Sequence, residues 1–123
     1  MKSINSSFGV WGQHLFYTLD DAGNAVPEPD MSKWAAWFEA NHDKRIIKKS
    51  RVTIGYIEAE VSTIFLGINI NSHPKDPPIL WETMILPISN FDYQWRYTSR
   101  DDALRHHGAV VQALQEGKEP PNP

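Results

Sequence analysis

The sequence predicts an α+β fold: a four- to five-stranded, mainly antiparallel sheet with two helices packed on one face. Three features lead to this prediction. The chain has 123 residues, the size of one ordinary domain. Its strand-like segments are joined mostly by short links, which favour antiparallel neighbours. Its two helix-like segments lie apart from the main run of strands. We expect residues 1–13 to be an N-terminal extension, residues 14–116 a single domain and residues 117–123 a disordered tail.

The first strand and the first helix precede the main run of strands. Residues 15–19 (LFYTL) are typical of a short strand, and the Asp- and Gly-containing segment after them is typical of a turn. Asp30 is a good N-cap for a helix over roughly 31–41. Its aromatic side chains recur at helical spacing, so we expect them to form one face that packs on the sheet. They are Trp34, Trp37 and Phe38.

Four further strands and a second helix complete the fold. The strands are predicted over 51–57, 61–68, 79–86 and 91–98. In the last of them, aromatic and polar residues alternate with the period of two that is expected of a strand. Ser99 is the expected N-cap of the last helix, and Gly117 is a candidate for its C-terminal cap.

Composition excludes several classes of protein. The chain has no cysteine, which removes disulfides, thiolate zinc sites, iron–sulfur clusters and thiol nucleophiles. A formal net charge of -3 argues against a general nucleic-acid binder. No apolar run is long enough to span a membrane or to form the core of a signal peptide. We therefore expect a cytoplasmic protein without a membrane partner.

Sequence motifs for common chemistry are missing. There is no P-loop, no G-x-G-x-x-G, no G-x-S-x-G and no H-E-x-x-H. His106 and His107 are adjacent and so point to different sides of a helix, and the other histidines are scattered. We predict no catalytic residue, no metal and no cofactor, and we favour a binding protein over an enzyme.

Polar residues inside the hydrophobic strands are the distinctive feature. In an antiparallel sheet Glu82 and Arg96 could lie side by side. One interpretation is a partly buried salt bridge that fixes strand register. The other is a polar pocket, in which Arg96 holds an anion and Glu82 or Thr83 hydrogen-bonds a base or sugar. A catalytic acid–base pair is less favoured, because no nucleophile accompanies it.

Two more features have alternative interpretations. The basic run Lys44–Arg51 is either a solvated strand edge that discourages aggregation or a patch that attracts phosphate. His107 lies on the apolar face of the last helix, where it is either a hydrogen-bonded core histidine or a ligand contact.

Three runs of sequence, VSTIFLGIN, PPILWETMI and YQWRYTSRDDALRHH, resemble a widespread family of small proteins of tailed phages. The resemblance covers roughly residues 16 to 115. This chain departs from the family pattern at Ile70, where a histidine is common, and at His106, where a glycine precedes the final histidine. The matching residues are Val61, Ser62, Thr63, Phe65, Leu66, Gly67, Pro77, Pro78, Trp81, Glu82, Thr83, Met84, Arg96, Tyr97 and His107.

The resemblance implies a function against bacterial defence. We expect a phage-encoded, non-enzymatic, homo-oligomeric binding protein that sequesters a cyclic-nucleotide-type immune signal in the host cytoplasm. The alternative is an anti-CRISPR-like inhibitor that binds a host defence protein directly. The expected partner is accordingly a small nucleotide ligand or a host protein. The expected ligand-binding residues are Ser62, Thr63, Trp81, Glu82, Thr83, Arg96, Tyr97 and His107.

Overall fold

The computed structural model describes residues 14–87 and 93–123. The predicted extension over 1–13 and the start of the predicted strand over 91–98 lie outside these residues. Within them the chain is α+β, with a two-stranded sheet, a four-stranded antiparallel sheet and three helices. The described residues divide into two compact units. The first runs to Arg45 and includes Leu66–Leu80, and the second contains Ile46–Phe65 and the residues from Trp81 onward.

A short hairpin and two helices form most of the first unit. Strand β1 pairs antiparallel with β2, and helices α1 and α2 follow. Asp20 closes the hairpin turn, since its Oδ1 accepts hydrogen bonds from the backbone N–H groups of Ala22 and Asn24. The predicted N-cap of α1 is confirmed, because Asp30 Oδ1 accepts from two backbone N–H groups of the first turn. The elements are β1 (Tyr17–Leu19), β2 (Ala25–Pro27), α1 (Met31–Ala40) and α2 (His42–Arg45).

The aromatic face of α1 packs on β1. Trp34 Nε1 donates a hydrogen bond to the Tyr17 carbonyl oxygen across 3.1 Å. The Trp34 ring lies 4.6 Å from that of Phe16 and 4.8 Å from that of Phe38, measured between centroids. The first predicted strand therefore belongs to the two-stranded sheet, and the helix that follows contacts it there.

Gly67 completes the packing of the first unit. Its carbonyl oxygen accepts from the Tyr17 N–H at 2.9 Å, and its φ is +76°, in the region that glycine tolerates best. A Cβ at this position would lie 3.0 Å from Phe38 Cε1 and 3.4 Å from Trp34 Nε1. Backbone conformation and close approach thus both require glycine here.

The second unit is built on the four-stranded antiparallel sheet, ordered β3-β4-β5-β6. The predicted strands over 51–57 and 61–68 were misplaced, because the hairpin turn falls at Gly55 and Tyr56, inside the first of them. The first observed strand begins earlier than residue 51, and the second ends before residue 68. Lys48, Lys49 and Arg51 lie exposed in this first strand, at an edge of the sheet. The strands are β3 (Ile46–Ile54), β4 (Ile57–Phe65), β5 (Trp81–Leu86) and β6 (Gln94–Tyr97).

Helix α3 (Arg100–Gln115) lies across one face of this sheet and contacts all four strands. Ala103 is buried, and two other buried residues of the helix, Val110 and Leu114, join a core with strand residues such as Val61. Both predicted caps are confirmed. Ser99 Oγ accepts from the Asp102 N–H, and the N–H groups of residues 117 and 118 bond to carbonyls of the last turn. Over residues 14–87 and 93–123, no helix has the length and apolar character needed to cross a membrane.

Candidate functional site

The strand registers divide the predicted ligand-binding residues between two faces of the sheet. Successive side chains of a strand point to opposite faces, and residues paired across strands share a face. Ser62, Glu82 and Arg96 lie on the face away from α3. The other five lie on the α3 side, and they are Thr63, Trp81, Thr83, Tyr97 and His107. A ligand on one face therefore reaches three or five of these residues, and the structure does not bring all of them together.

Glu82 and Arg96 form an ion pair on the outer face, away from α3. They are direct register partners of β5 and β6, and Arg96 Nε donates to Glu82 Oε2 across 2.9 Å. The Glu82 side chain is 10% exposed and that of Arg96 is 51% exposed. Among the described residues, only Nε of the guanidinium has a protein partner. The partly buried salt bridge of the first interpretation is therefore present between register partners, and Nη1 and Nη2 are left able to donate to a ligand.

The neighbouring row of the outer face is polar at both ends. Lys49, Ser62, Met84 and Gln94 are successive register partners across the four strands. Ser62 is buried, whereas Lys49 is exposed on the edge strand. Gln94 Nε2 contacts Met84 Sδ at 3.6 Å. The outer face therefore offers a second cation in addition to Arg96, separated from it by a partly apolar surface.

A chain of hydrogen bonds, buried in its middle and partly buried at its two ends, runs along the opposite, α3-facing side of the sheet. It begins at Ser50 on β3, passes through side chains of α3, β4, β5 and β6, and ends at the Pro121 carbonyl oxygen. The first half joins Ser50 Oγ to His107 Nε2 at 2.9 Å, His107 Nδ1 to Thr63 Oγ1 at 2.7 Å, and Thr63 Oγ1 to Thr83 Oγ1 at 2.6 Å. The second half joins Thr83 to Tyr97, Tyr97 Oη to His106 Nδ1, and His106 Nε2 to the Pro121 oxygen at 2.7 Å.

The Pro121 end fixes the direction of every bond in this chain. A carbonyl oxygen only accepts, so His106 Nε2 carries a proton, and in the neutral ring Nδ1 then accepts from the Tyr97 hydroxyl. Each hydroxyl has one proton to donate, so Thr83 donates to Tyr97 and Thr63 donates to Thr83. His107 Nδ1 must then donate to Thr63, and its Nε2 accepts from the Ser50 hydroxyl. All donors point the same way, from Ser50 towards Pro121.

The pKa values of two members match this proton arrangement. Burial lowers the pKa of His107 to about 4, and the neighbouring Lys48 and His106 add to the shift. His107 is therefore neutral near pH 7, with one nitrogen that donates and one that accepts. Burial raises the pKa of Tyr97 to about 12, although the hydrogen bond from Thr83 acts in the opposite direction. Tyr97 thus keeps the proton that it donates to His106.

A cleft of about 430 Å³ opens at the Ser50 end of the chain. It is lined by Lys48 and Ser50 of β3, by His107 and Gln112 of α3, and by Glu116, which follows that helix. Sequence reasoning did not single out Ser50, because the predicted strand began after it. The alternation of Ser50 with Val52 and Ile54 was the available signal, since it places all three on the α3 side.

Ser50, His107 and Thr63 are spaced like a nucleophile, a base and an orienting group. Their chemistry does not suit that role. A histidine with a pKa of about 4 is a weak general base at neutral pH. Thr63 also carries no charge that would stabilise an imidazolium, which is the task of the carboxylate in a hydrolase triad. The three groups are better described as part of a structural network.

Other ligand chemistry has little support in the described residues. Over residues 14–87 and 93–123, no group of three or more His, Cys, Asp or Glu side chains is arranged to hold a metal ion. Trp81, a predicted ligand contact, is 5% exposed, and its buried indole Nε1 has no hydrogen-bond partner among the residues that the structure describes. Its ring packs on Phe65 at 5.6 Å between centroids.

His106, which was not among the predicted ligand-binding residues, is a central member of the hydrogen-bond chain. It is 4% exposed and joins Tyr97 to the C-terminal tail.

Comparisons with models of protein families, with curated proteins and with solved structures find no match to this chain.

Proposed function

We propose that this chain is a non-enzymatic binding protein that sequesters a small anionic, nucleotide-type ligand. In line with the phage-family resemblance, the ligand is a cyclic-nucleotide-type signal of bacterial defence, and the protein acts as a homo-oligomer. The observation that carries the proposal is the Arg96 guanidinium, which Glu82 holds through Nε while Nη1 and Nη2 have no partner among the described residues.

Arginine held in this way is suited to a phosphate. Its planar guanidinium presents two parallel N–H donors that match two phosphate oxygens. The 2.9 Å bond to Glu82 orients the group before a ligand arrives, so less side-chain entropy is lost on binding. Half of the Arg96 side chain is exposed, which keeps it accessible. The exposed Lys49 adds positive charge on the same face.

Sequestration is favoured over turnover by the chemistry of the available groups. On the outer face, the Glu82 carboxylate is engaged with Arg96, and Ser62 is buried. On the inner face, His107 is fully buried and is a weak base. A ligand held by Arg96 would therefore meet no activated nucleophile among these groups and would be recovered unchanged.

A specific feature favours the alternative, direct binding of a host defence protein. Tyr56 at the tip of the β3–β4 hairpin is fully exposed, and the adjacent Ile57 is half exposed. Tyrosine with a neighbouring aliphatic side chain is a common anchor in protein interfaces. This tip is distant in sequence from Arg96, so separate substitutions test the two candidates.

Isothermal titration calorimetry against cyclic dinucleotides, cyclic trinucleotides and cyclic ADP-ribose isomers tests the proposal. We expect one class to bind the wild-type chain and to be released intact when the complex is denatured. The double variant Glu82→Gln/Arg96→Ala should weaken that binding at least tenfold without stranding a carboxylate. Arg105→Ala, which removes one exposed charge of α3, is the matched control and should bind normally.

Two results would count against sequestration. If no compound gave heat on titration, the proposed ligand class would be excluded. A chemically altered ligand after denaturation of the complex would indicate turnover. If the compounds fail but the chain captures a host protein, and Tyr56→Ser abolishes that capture while Glu82→Gln/Arg96→Ala does not, the alternative function is supported.

A further inference from the structure

The C-terminal tail turns back along the second unit after α3. The Lys118 N–H bonds to the Ala113 carbonyl oxygen at 2.8 Å, and the Gly117 N–H bonds to the Leu114 oxygen at 3.1 Å. These two bonds form a Schellman motif, which ends the helix and reverses the chain. The tail that follows has the sequence KEPPNP, in which three of six residues are proline.

Three rings form a row beside this tail. The Tyr93 and Trp95 rings lie 6.3 Å apart between centroids, and the Trp95 and His106 rings lie 5.0 Å apart, with each pair in an edge arrangement. We call this row of Tyr93, Trp95 and His106 the aromatic row. It lies at the β6 edge of the sheet, on the side that α3 covers.

The tail lies near both ends of the aromatic row. At one end, Tyr93 shares a cavity of about 370 Å³ with Pro120, and apolar side chains such as Ile85 and Leu114 also line it. At the other end, His106 Nε2 donates a hydrogen bond to the Pro121 carbonyl oxygen across 2.7 Å. The tail thus combines a proline that shares a cavity with an aromatic side chain and a carbonyl oxygen that accepts from a ring N–H.

This combination is how proline-rich peptides are recognised. Such segments favour the extended polyproline II conformation, which needs no internal hydrogen bonds and loses little entropy on binding. Domains that bind them offer a groove lined with aromatic side chains. Proline also has no N–H with which to extend a sheet, so a segment like the tail docks through rings and carbonyl oxygens instead.

We propose that the aromatic row is a recognition groove for a proline-rich segment of a partner protein, and that the chain's own tail occupies it in cis. Of the tail residues only Pro120 is half buried, and the rest are exposed. Beyond the helix cap, the bond from His106 is the hydrogen bond that ties the tail to the described residues. A segment held so lightly opens at low free-energy cost and can be displaced by a longer proline-rich ligand.

The groove is independent of the proposed anion site. Arg96 and Glu82 lie on the opposite face of the sheet from Trp95, because strand neighbours alternate. Loss of peptide binding with normal nucleotide binding, or the reverse, therefore separates the two proposals.

Fluorescence anisotropy with a labelled KEPPNP peptide tests the groove in the full-length chain. The variant Pro120→Gly/Pro121→Gly loosens the cis tail, so we expect it to bind the peptide at least tenfold more tightly than the wild-type chain, whose tail competes. A peptide with alanine in place of all three prolines should bind at least tenfold more weakly. Adding Trp95→Ala to the tail variant should also abolish binding.

A second measurement needs no substitution in the groove. In the isotopically labelled tail variant, the peptide should shift the indole N–H resonance of Trp95 and leave that of Trp34 unchanged. Equal binding to the wild-type chain and the tail variant, equal binding of the alanine peptide, or no binding to either would overturn the proposal. A wild-type dimer that the tail variant cannot form would identify the occupant as a second copy's tail, and would overturn it as well.

Discussion

The hydroxyl oxygens of Thr63 and Thr83 lie 2.6 Å apart on adjacent strands, and both side chains are fully buried. Thr63 also accepts from His107 Nδ1 at 2.7 Å. The pair therefore stands in the middle of the hydrogen-bond chain that ties α3 to the sheet. Because each hydroxyl both accepts and donates, removal of one leaves two neighbours without a partner, and buried groups without a partner are costly.

Thr63→Val should lower the free energy of unfolding by about 2–4 kcal/mol, since it preserves shape but strands the His107 N–H and removes the donor to Thr83. Urea denaturation measures this loss. Thr53→Val is the matched control, because Thr53 is exposed on β3, and it should change stability by no more than about 0.5 kcal/mol. An equal effect of the two substitutions would contradict the buried chain.

A double-mutant cycle tests the coupling of the two threonines directly. Thr63→Val/Thr83→Val removes both hydroxyls, so the bond between them is not left half made. Its cost should fall below the sum of the two single costs by about 0.5–3 kcal/mol. Strict additivity would mean that the two hydroxyls do not interact in solution.

The contact between Glu82 and Arg96 was predictable from the sequence, whereas the division of the site was missed. Short links between strands indicated antiparallel neighbours, and register partners of such strands lie side by side. Ser62 and Thr63 are consecutive in a strand, so the period of two already assigns them to opposite faces. Treating all polar strand residues as one constellation overlooked this rule.

The start of β3 and the role of His106 depended on tertiary structure. Lys48 and Lys49 interrupt the apolar pattern before Val52, so a strand there is recognisable only once β4 lies beside it. His106 and His107 do point to different sides, towards Tyr97 and Ser50 respectively. Both are nevertheless buried, because α3 crosses a sheet wide enough to cover two adjacent helix positions.

Arg96→Ala should destabilise the fold even without a ligand. Glu82 is 10% exposed, so loss of its partner leaves a mostly buried carboxylate without a charge-assisted hydrogen bond, at a cost of about 2 kcal/mol. Glu82→Gln/Arg96→Ala removes both charges and should be more stable than Arg96→Ala alone. Chemical denaturation of the two variants measures the difference. If the double variant is the less stable of the two, the carboxylate is not stranded and the expectation is wrong.

Gly67→Ala should destabilise the first unit by about 2 kcal/mol or more. A left-handed φ costs a residue with a Cβ about 1–2 kcal/mol, and the methyl would lie 3.0 Å from Phe38. Thermal unfolding followed by near-ultraviolet circular dichroism would report this loss through the Trp34 environment. Gly108→Ala is the control, and its expected change in stability has the opposite sign. It adds the same methyl to α3 at a position where, apart from the backbone of that helix and the two chain neighbours, no atom of the described residues lies within 4 Å of the added Cβ. The substitution should raise the free energy of unfolding by up to about 1 kcal/mol. Equal effects would refute the close approach.

Stability between pH 5 and 7 should depend on His107. Its pKa is about 4 in the folded chain, below the ordinary value of 6.5, so the unfolded chain binds a proton in this range and the folded chain does not. The contribution of His107 to the free energy of unfolding is therefore fully present above pH 6.5 and is lost as the pH falls towards 4. The linkage relation gives a loss of about 2 kcal/mol between pH 7 and pH 5.

His107→Gln removes this titration and should flatten the pH dependence of the unfolding free energy by that amount, measured by urea denaturation at half-unit steps. Carboxylates titrate mainly below pH 5 and contribute equally to both chains in this window. Between pH 7 and 8, where His107 is neutral in folded and unfolded chains alike, the two curves should run parallel. An undiminished slope in His107→Gln would mean that His107 is not held neutral, and the single direction assigned to the hydrogen bonds from Ser50 to Pro121 would then be wrong.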